Sequence, residues 1–183
     1  MKSSSSRPAF RVLSRRAGFR GHLVHLDVLK IKTRSGRQYE RELIKHPGAV
    51  VIIPRLPDGR LVLVHQLRVA VGTEIWEFPA GTLERGESAL ACARRELEEE
   101  TGFRARRFRK LLEFFPTPGI SNEKMILFLA TGLRPSNRLQ CDPDEELCSA
   151  FLTPRQVERM IHRKKIIDGK TLLGFLLLRK YTS

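Results

Sequence analysis

Three carboxylates, at positions 96, 99 and 100, lie within Arg95-Glu96-Leu97-Glu98-Glu99-Glu100-Thr101-Gly102-Phe103. On a helix, offsets of three and four residues fall on one face, so these acids crowd a single patch. Like charges at that spacing repel and weaken the helix unless a cation lies among them. Hard divalent cations such as Mg²⁺ take oxygen ligands and commonly combine carboxylates with substrate phosphates. The chemistry that suits this pattern is the binding of a metal–phosphate complex. Glu98 points another way and is expected to be solvated.

The elements that must position these acids follow from local pattern. The helix is expected to start at Ser88, a good N-cap, and to end at Gly102, which suits left-handed backbone. Leu90, Ala93 and Leu97 form its expected apolar stripe. Upstream, Leu23–Ile31 and Gln38–Ile44 read as strands around a turn at Arg34–Arg37, inside a β unit over residues 8–46. Ala49–Pro54 and Leu61–His65 read as buried strands joined by a tight turn at Pro57-Asp58-Gly59. Phe108–Phe115 and Met125–Ala130 are further strands, separated by the Pro/Gly-rich loop Pro116–Ser121. Thr153-Pro154 starts a helix to about His162, and Asp168 caps a last one to about Tyr181. Strands, a helix, more strands and terminal helices imply an α+β or mixed-sheet fold.

Length and composition bound the reading. The 183 residues suit one domain with a small extension, and 41% hydrophobic with 30% charged is ordinary for a globular chain. No apolar run reaches the 18 or so residues of a membrane span, and the N-terminus lacks a signal-like apolar core, so a cytoplasmic location is expected. Residues 1–7 read as a disordered tail. Cys92, Cys141 and Cys148 lack metal-ligand spacing and do not imply a disulfide framework; Cys92 reads as a packed side chain, not a nucleophile. With 34 Lys+Arg against 20 Asp+Glu the net charge is +14, which attracts anionic substrates and leaves nucleic acid as a minor alternative partner. Aromatic residues do not alternate with this charge as a base-stacking platform would require.

The segment Gly81–Phe103 resembles the signature of the Nudix hydrolases, which cleave nucleoside diphosphates linked to another group. That signature reads Gly, five residues, Glu, seven residues, Arg-Glu, an aliphatic, one residue, Glu-Glu, one residue, Gly and an apolar residue. Gly81, Glu87, Arg95, Glu96, Leu97, Glu99, Glu100, Gly102 and Phe103 fill every specified place. Further likeness, to the ADP-ribose pyrophosphatase subgroup, lies in His65-Gln66-Leu67-Arg68, Trp76–Gly81, Pro118 sixteen residues after Gly102, Pro118–Glu123, and Ile167–Thr171.

The resemblance implies an α/β/α sandwich over residues 47–183, preceded by the antiparallel β unit. It also implies Mg²⁺, with Mn²⁺ as an alternative, held by Glu96, Glu99, Glu100 and the Ala80 carbonyl. Glu87 and Arg95 would orient the helix, with Gly81, Gly86 and Gly102 as conformational requirements. Arg68, Glu77, Pro118, Gly119 and Glu123 would contact substrate, while Trp76 reads as a packed side chain. The general base is expected in the acidic loop Asp142-Pro143-Asp144-Glu145-Glu146, with Glu145 and Glu146 both open and Glu99 as the signature-helix alternative. The implied reaction is hydrolysis of ADP-ribose to AMP and ribose 5-phosphate. A second reading is another nucleoside diphosphate sugar such as GDP-mannose; a third is a nucleic-acid-binding or regulatory module, which the intact carboxylates disfavour. The resemblance also implies a homodimer paired through residues 8–46, with Arg11, Arg15, Arg16 and Arg20 near an anionic ligand.

Overall fold

A computed structural model describes residues 9–22, 24–136 and 148–182. The expected tail at residues 1–7 and the acidic loop at 142–146 lie outside the described residues. The chain divides into two compact units, Met1–His46 with Thr117–Glu123, and Pro47–Pro116 with Lys124–Ser183.

The first unit is an antiparallel sheet of β1 (Phe10–Arg20), β2 (His25–Thr33) and β3 (Gln38–Lys45), with β2 central. Val28, Leu29 and Ile31 of β2 are buried. Asp27 of the same strand is fully buried and meets Arg20 at 2.5 Å, Arg15 at 3.6 Å and Lys45 at 3.9 Å. The Arg20 hydrogen bond, against the cost of burial, holds its carboxyl below the usual carboxylate range. Part of the basic charge of β1 therefore neutralises an internal acid. The loop Thr117–Glu123 joins this unit through the hydrogen bonds Ile44 N–H to Ile120 O and His46 N–H to Asn122 Oδ1, both 2.8 Å.

The second unit is the α/β/α sandwich. Its sheet contains β4 (Ala49–Arg55), β5 (Leu61–Arg68), β6 (Thr73–Glu77), β7 (Ala80–Thr82), β8 (Phe103–Phe114), β9 (Met125–Pro135) and β10 (Cys148–Leu152). The main order is β10-β5-β4-β9-β8, with β6 on β5 and β7 on β4. Only β4 and β9 run parallel among these pairs, so the sheet is mixed. Alternate residues of β4 face opposite sides, as period-two geometry requires. Val50 and Ile52 pack with Cys92, Ala93 and Leu97 of α1 (Ala89–Thr101). Val51 and Ile53 pack with Val157 of α2 (Pro154–His162) and with Phe175 and Leu178 of α3 (Gly169–Thr182). Burying a side chain of this size stabilises by roughly 1.5–3 kcal/mol, so the two clusters hold the helices to the sheet.

The helix ends follow the sequence closely. Ser88 Oγ accepts from Ala91 N–H at 3.2 Å, and Gly102 takes φ 68° with its N–H on Glu98 O. Thr153 and Gln156 form a reciprocal capping box with Pro154 in the first turn of α2. Two expectations for α1 need correction. Leu90 is 38% exposed, and the buried stripe is Cys92, Ala93, Leu97 and Thr101. Leu90 lies in the first turn, and the row at 93, 97 and 101 carries the packing instead. Glu98 is not solvated: its carboxylate accepts from Arg104 at 2.7 Å and from the Ser136 hydroxyl.

Candidate functional site

Two carboxylates of α1, Glu96 and Glu100, lie against the segment that precedes the helix. At Gly81 an added Cβ would lie 1.9 Å from the Glu96 carboxylate carbon, so a side chain there displaces that carboxylate. Glycine here lets the main chain approach the Glu96 carboxylate closely, whereas Gly86 and Gly102 take positive φ of 81° and 68°. Ala80 N–H donates to Glu100 Oε2 at 3.2 Å. The Ala80–Gly81 main chain thus touches two of the three signature carboxylates. It is held there by pairing of β7 with β4, Ala80 opposite Val51 and Gly81 opposite Val50, and by Ile52 N–H donating to Pro79 O at 2.8 Å.

Arg95 stands at the centre of the acids. Its Nη1 donates to Glu96 Oε1 at 2.7 Å and Glu99 Oε2 at 3.0 Å, while Nε and Nη2 donate to Glu87 at 3.1 and 3.0 Å. The Glu87 bond, before the others, raises the basicity of the guanidinium, and the same bond holds Glu87 below its ordinary range. Glu96 behaves oppositely. Burial pushes its carboxyl upward, the Arg95 charge pulls it down without prevailing, and Glu99 and Glu87 add repulsion. The acids also sit at the C-terminal end of α1, where the helix dipole disfavours negative charge.

The donor set fits a hard divalent cation. Glu96, Glu99 and Glu100 supply only oxygen, and Glu96 is 12% exposed in a field that favours a nearby positive charge. Among the described residues, no three acidic, imidazole or thiol side chains already converge on one point. The Arg95 guanidinium serves as the local counter-charge.

A second group of polar residues lies where β5 and β6 meet α3. Arg68 Nε and Nη2 grip both oxygens of Glu77 at 2.9 and 2.8 Å, a fork-to-fork pairing. Glu77 is 1% exposed and also accepts from Lys170 Nζ. Burial pushes its carboxyl up, but Arg68 and Lys170 outweigh that and hold it below the usual range. Lys170 also donates to Asp168 Oδ1 at 2.9 Å. The sequence reading gave Arg68 and Glu77 to the substrate separately; it missed their mutual bond and the part played by Lys170. The Asp168–Thr171 spacing, an N-cap acid with a hydroxyl three residues on, was the available signal. Trp76 is half-buried and stacks on His65 with centroids 4.5 Å apart.

Pro118, Gly119 and Glu123 belong to the first unit. Ile120 and Ser121 N–H donate to Thr117 O at 3.1 and 3.0 Å, and Glu123 lies 3.8 Å from His46 Nε2. Glu145 and Glu146 lie outside the described residues.

Comparison with known proteins bears on this arrangement. A family model described as the NUDIX domain matches residues 45–173. A methanol dehydrogenase activator of Bacillus methanolicus is 36% identical over 162 residues, covering 88% of each chain. An ADP-ribose pyrophosphatase of Bacillus subtilis is 33% identical over 162 residues, again 88% of each. A solved structure, of an ADP compounds hydrolase, superposes with a TM-score of 0.85 at 23% identity, over 97% of this chain and 96% of its own; this supports the fold. With the signature residues gathered between β7 and α1 and the family model spanning that site, the chain belongs to the Nudix family.

Proposed function

We propose that the protein hydrolyses the diphosphate bond of ADP-ribose, giving AMP and ribose 5-phosphate. The observation that carries this is the contact of the Ala80–Gly81 main chain with Glu96 and Glu100, in a chain similar to an ADP-ribose pyrophosphatase. Water adds across the anhydride: its oxygen joins one phosphorus, and the bridging oxygen leaves on the other. Glu96, Glu99, Glu100 and the Ala80 carbonyl would hold Mg²⁺, or Mn²⁺ in its place. When bound, the cation neutralises phosphate oxygens and orients the diphosphate. Arg95 bridges the acids and offsets their mutual repulsion through its bonds to Glu87, Glu96 and Glu99. Arg68, fixed by Glu77, is the guanidinium suited to a phosphate oxygen. Pro118, Gly119 and Glu123 are proposed to line the substrate. Glu145 or Glu146, with Glu99 as the alternative, removes the proton from the attacking water.

Another nucleoside diphosphate sugar, GDP-mannose for example, is the second substrate reading. An activator role is the other reading, favoured by the name of the 36% identical relative. We further propose a homodimer paired through the three-stranded sheet, which light scattering checks. The test of the activity is hydrolysis of a panel of nucleoside diphosphate compounds with and without Mg²⁺, on the wild type and on Glu100→Gln. ADP-ribose should be the preferred substrate, and Glu100→Gln should lose several orders of magnitude in kcat, on the scale of a lost electrostatic contact (~10²–10³ or more). No turnover of any compound would refute the proposal.

A further inference from the structure

We infer that the first turn of α3, Asp168–Thr171, is a positioning element for the carboxylate site, acting across the sheet through the segment Glu77–Gly81. This rests on the metal-site reading given above. The segment Glu77–Gly81 is fixed at its far end by the carboxylates, as Gly81 lies against Glu96 and Ala80 N–H binds Glu100. Its near end is fixed by α3 at three places. Phe78 N–H, which no ladder bond satisfies, donates to Thr171 Oγ1 at 2.8 Å in a fully buried setting. Lys170 Nζ binds the buried Glu77 carboxylate. The Phe78 ring lies over Gly174, where an added Cβ would sit 3.3 Å from the ring.

Thr171 itself is oriented. Its hydroxyl donates to Asp168 Oδ2 at 2.6 Å, and its N–H donates to the same oxygen at 2.9 Å. With its proton committed to Asp168, the hydroxyl oxygen presents lone pairs to Phe78 N–H. The chain of contacts therefore runs Asp168, Thr171, Phe78, Ala80, Glu100. Helix α3 packs on the face of the sheet opposite α1; both helices pack on β4, and this five-residue segment adds a hydrogen-bonded path between α3 and the carboxylates of α1. A glycine inside a helix is a cost that its packing must justify, and the Phe78 ring supplies that reason. Residues Lys170 and Thr171 touch none of the signature carboxylates; they are positioning residues.

The experiment measures Mn²⁺ binding to the full chain directly, by calorimetry without substrate, together with kcat and KM for ADP-ribose at saturating Mg²⁺. Thr171→Val keeps the shape and removes the acceptor for Phe78 N–H. Outer partners of metal ligands are typically worth ~10–100-fold in affinity, so Mn²⁺ affinity should fall by about tenfold and kcat should fall with it. Thr171→Ser should restore both. Gly174→Ala, which crowds the Phe78 ring instead, should act in the same direction and serves where Thr171→Val does not fold. Variants with wild-type Mn²⁺ affinity and kcat but lower melting temperature would make the α3 turn a purely structural anchor and overturn the inference alone. A wild-type chain that takes up no Mn²⁺ would overturn the metal-site reading and the inference with it.

Discussion

Replacing Gly81 by alanine separates stability from function at this site. The new methyl would fall 1.9 Å from the Glu96 carboxylate carbon, and ordinary contact begins at roughly 3.5 Å, so the carboxylate must retreat by about 1.5 Å. Glu96 can do so because the obstructing atoms are the tip of a flexible side chain, and the backbone of Gly81 stays paired with Val50. The expected stability loss is that of the Arg95–Glu96 hydrogen bond, about 1–2 kcal/mol in a partly exposed setting. For a chain of this length that lowers the melting temperature by roughly 2–8 °C. Displacement of a reacting-site group by more than 1 Å costs on the order of 10² in rate, and kcat should fall accordingly. Thermal unfolding followed by circular dichroism and an ADP-ribose assay over a range of Mg²⁺ concentrations read the two effects. Wild-type kcat at saturating Mg²⁺ would refute the placement of Glu96 in the site. A melting temperature lowered by tens of degrees would refute the claim that its side chain can swing aside.

Two further outcomes follow from titrating groups. Burial raises the Cys92 thiol to about 12, so at pH 8 only about one molecule in ten thousand carries the thiolate, and a maleimide or disulfide reagent should leave Cys92 unmodified in the native chain while labelling it after denaturation, as peptide mass mapping will show. Glu77 has a folded pKa below its ordinary 4.5, so its contribution to stability is complete above that value and is lost as pH falls through the folded one; Glu77→Gln should flatten this part of the acid limb of the stability curve, and an unchanged acid limb would show that Arg68 and Lys170 do not hold the carboxylate charged.

The signature helix was legible because its caps and its chemistry are local. Ser88, Gly102 and the spacing of Glu87, Arg95, Glu96, Glu99 and Glu100 all act within about fifteen residues of chain. The same holds for Thr153-Pro154 and for the Pro57–Gly59 turn. What escaped the sequence depends on distant partners. Strand β1 has every residue exposed, so it offers no alternation to read, and only its pairing with β2 defines it. Nothing local marks Asp27 as a buried charge, yet arginines from β1 and Lys45 from β3 surround it. Glu98 finds Ser136 across 38 positions, which no local pattern encodes. Arg68 and Glu77 were both picked out as functional, but in the β5–β6 ladder Glu77 stands opposite Val64 and Arg68 opposite Thr73, so their bond is made by two long side chains reaching along the strands and not by a cross-strand pair that a local pattern could show.

The tie between Glu77–Phe78 and Lys170–Thr171 also sets an order of events at synthesis. Both bonds join residues 93 positions apart. Closing so long a loop carries an entropic cost that must be met before the contact returns anything, and such non-local pairings form slowly. A ribosome adding ~5–20 residues per second needs about 5–20 s to travel from Phe78 to Thr171. During that interval the signature helix is complete in sequence while Phe78 N–H still lacks its acceptor. The nascent chain can therefore hold the acidic helix well before Phe78 N–H and the Glu77 carboxylate gain their partners, which arrive only with α3.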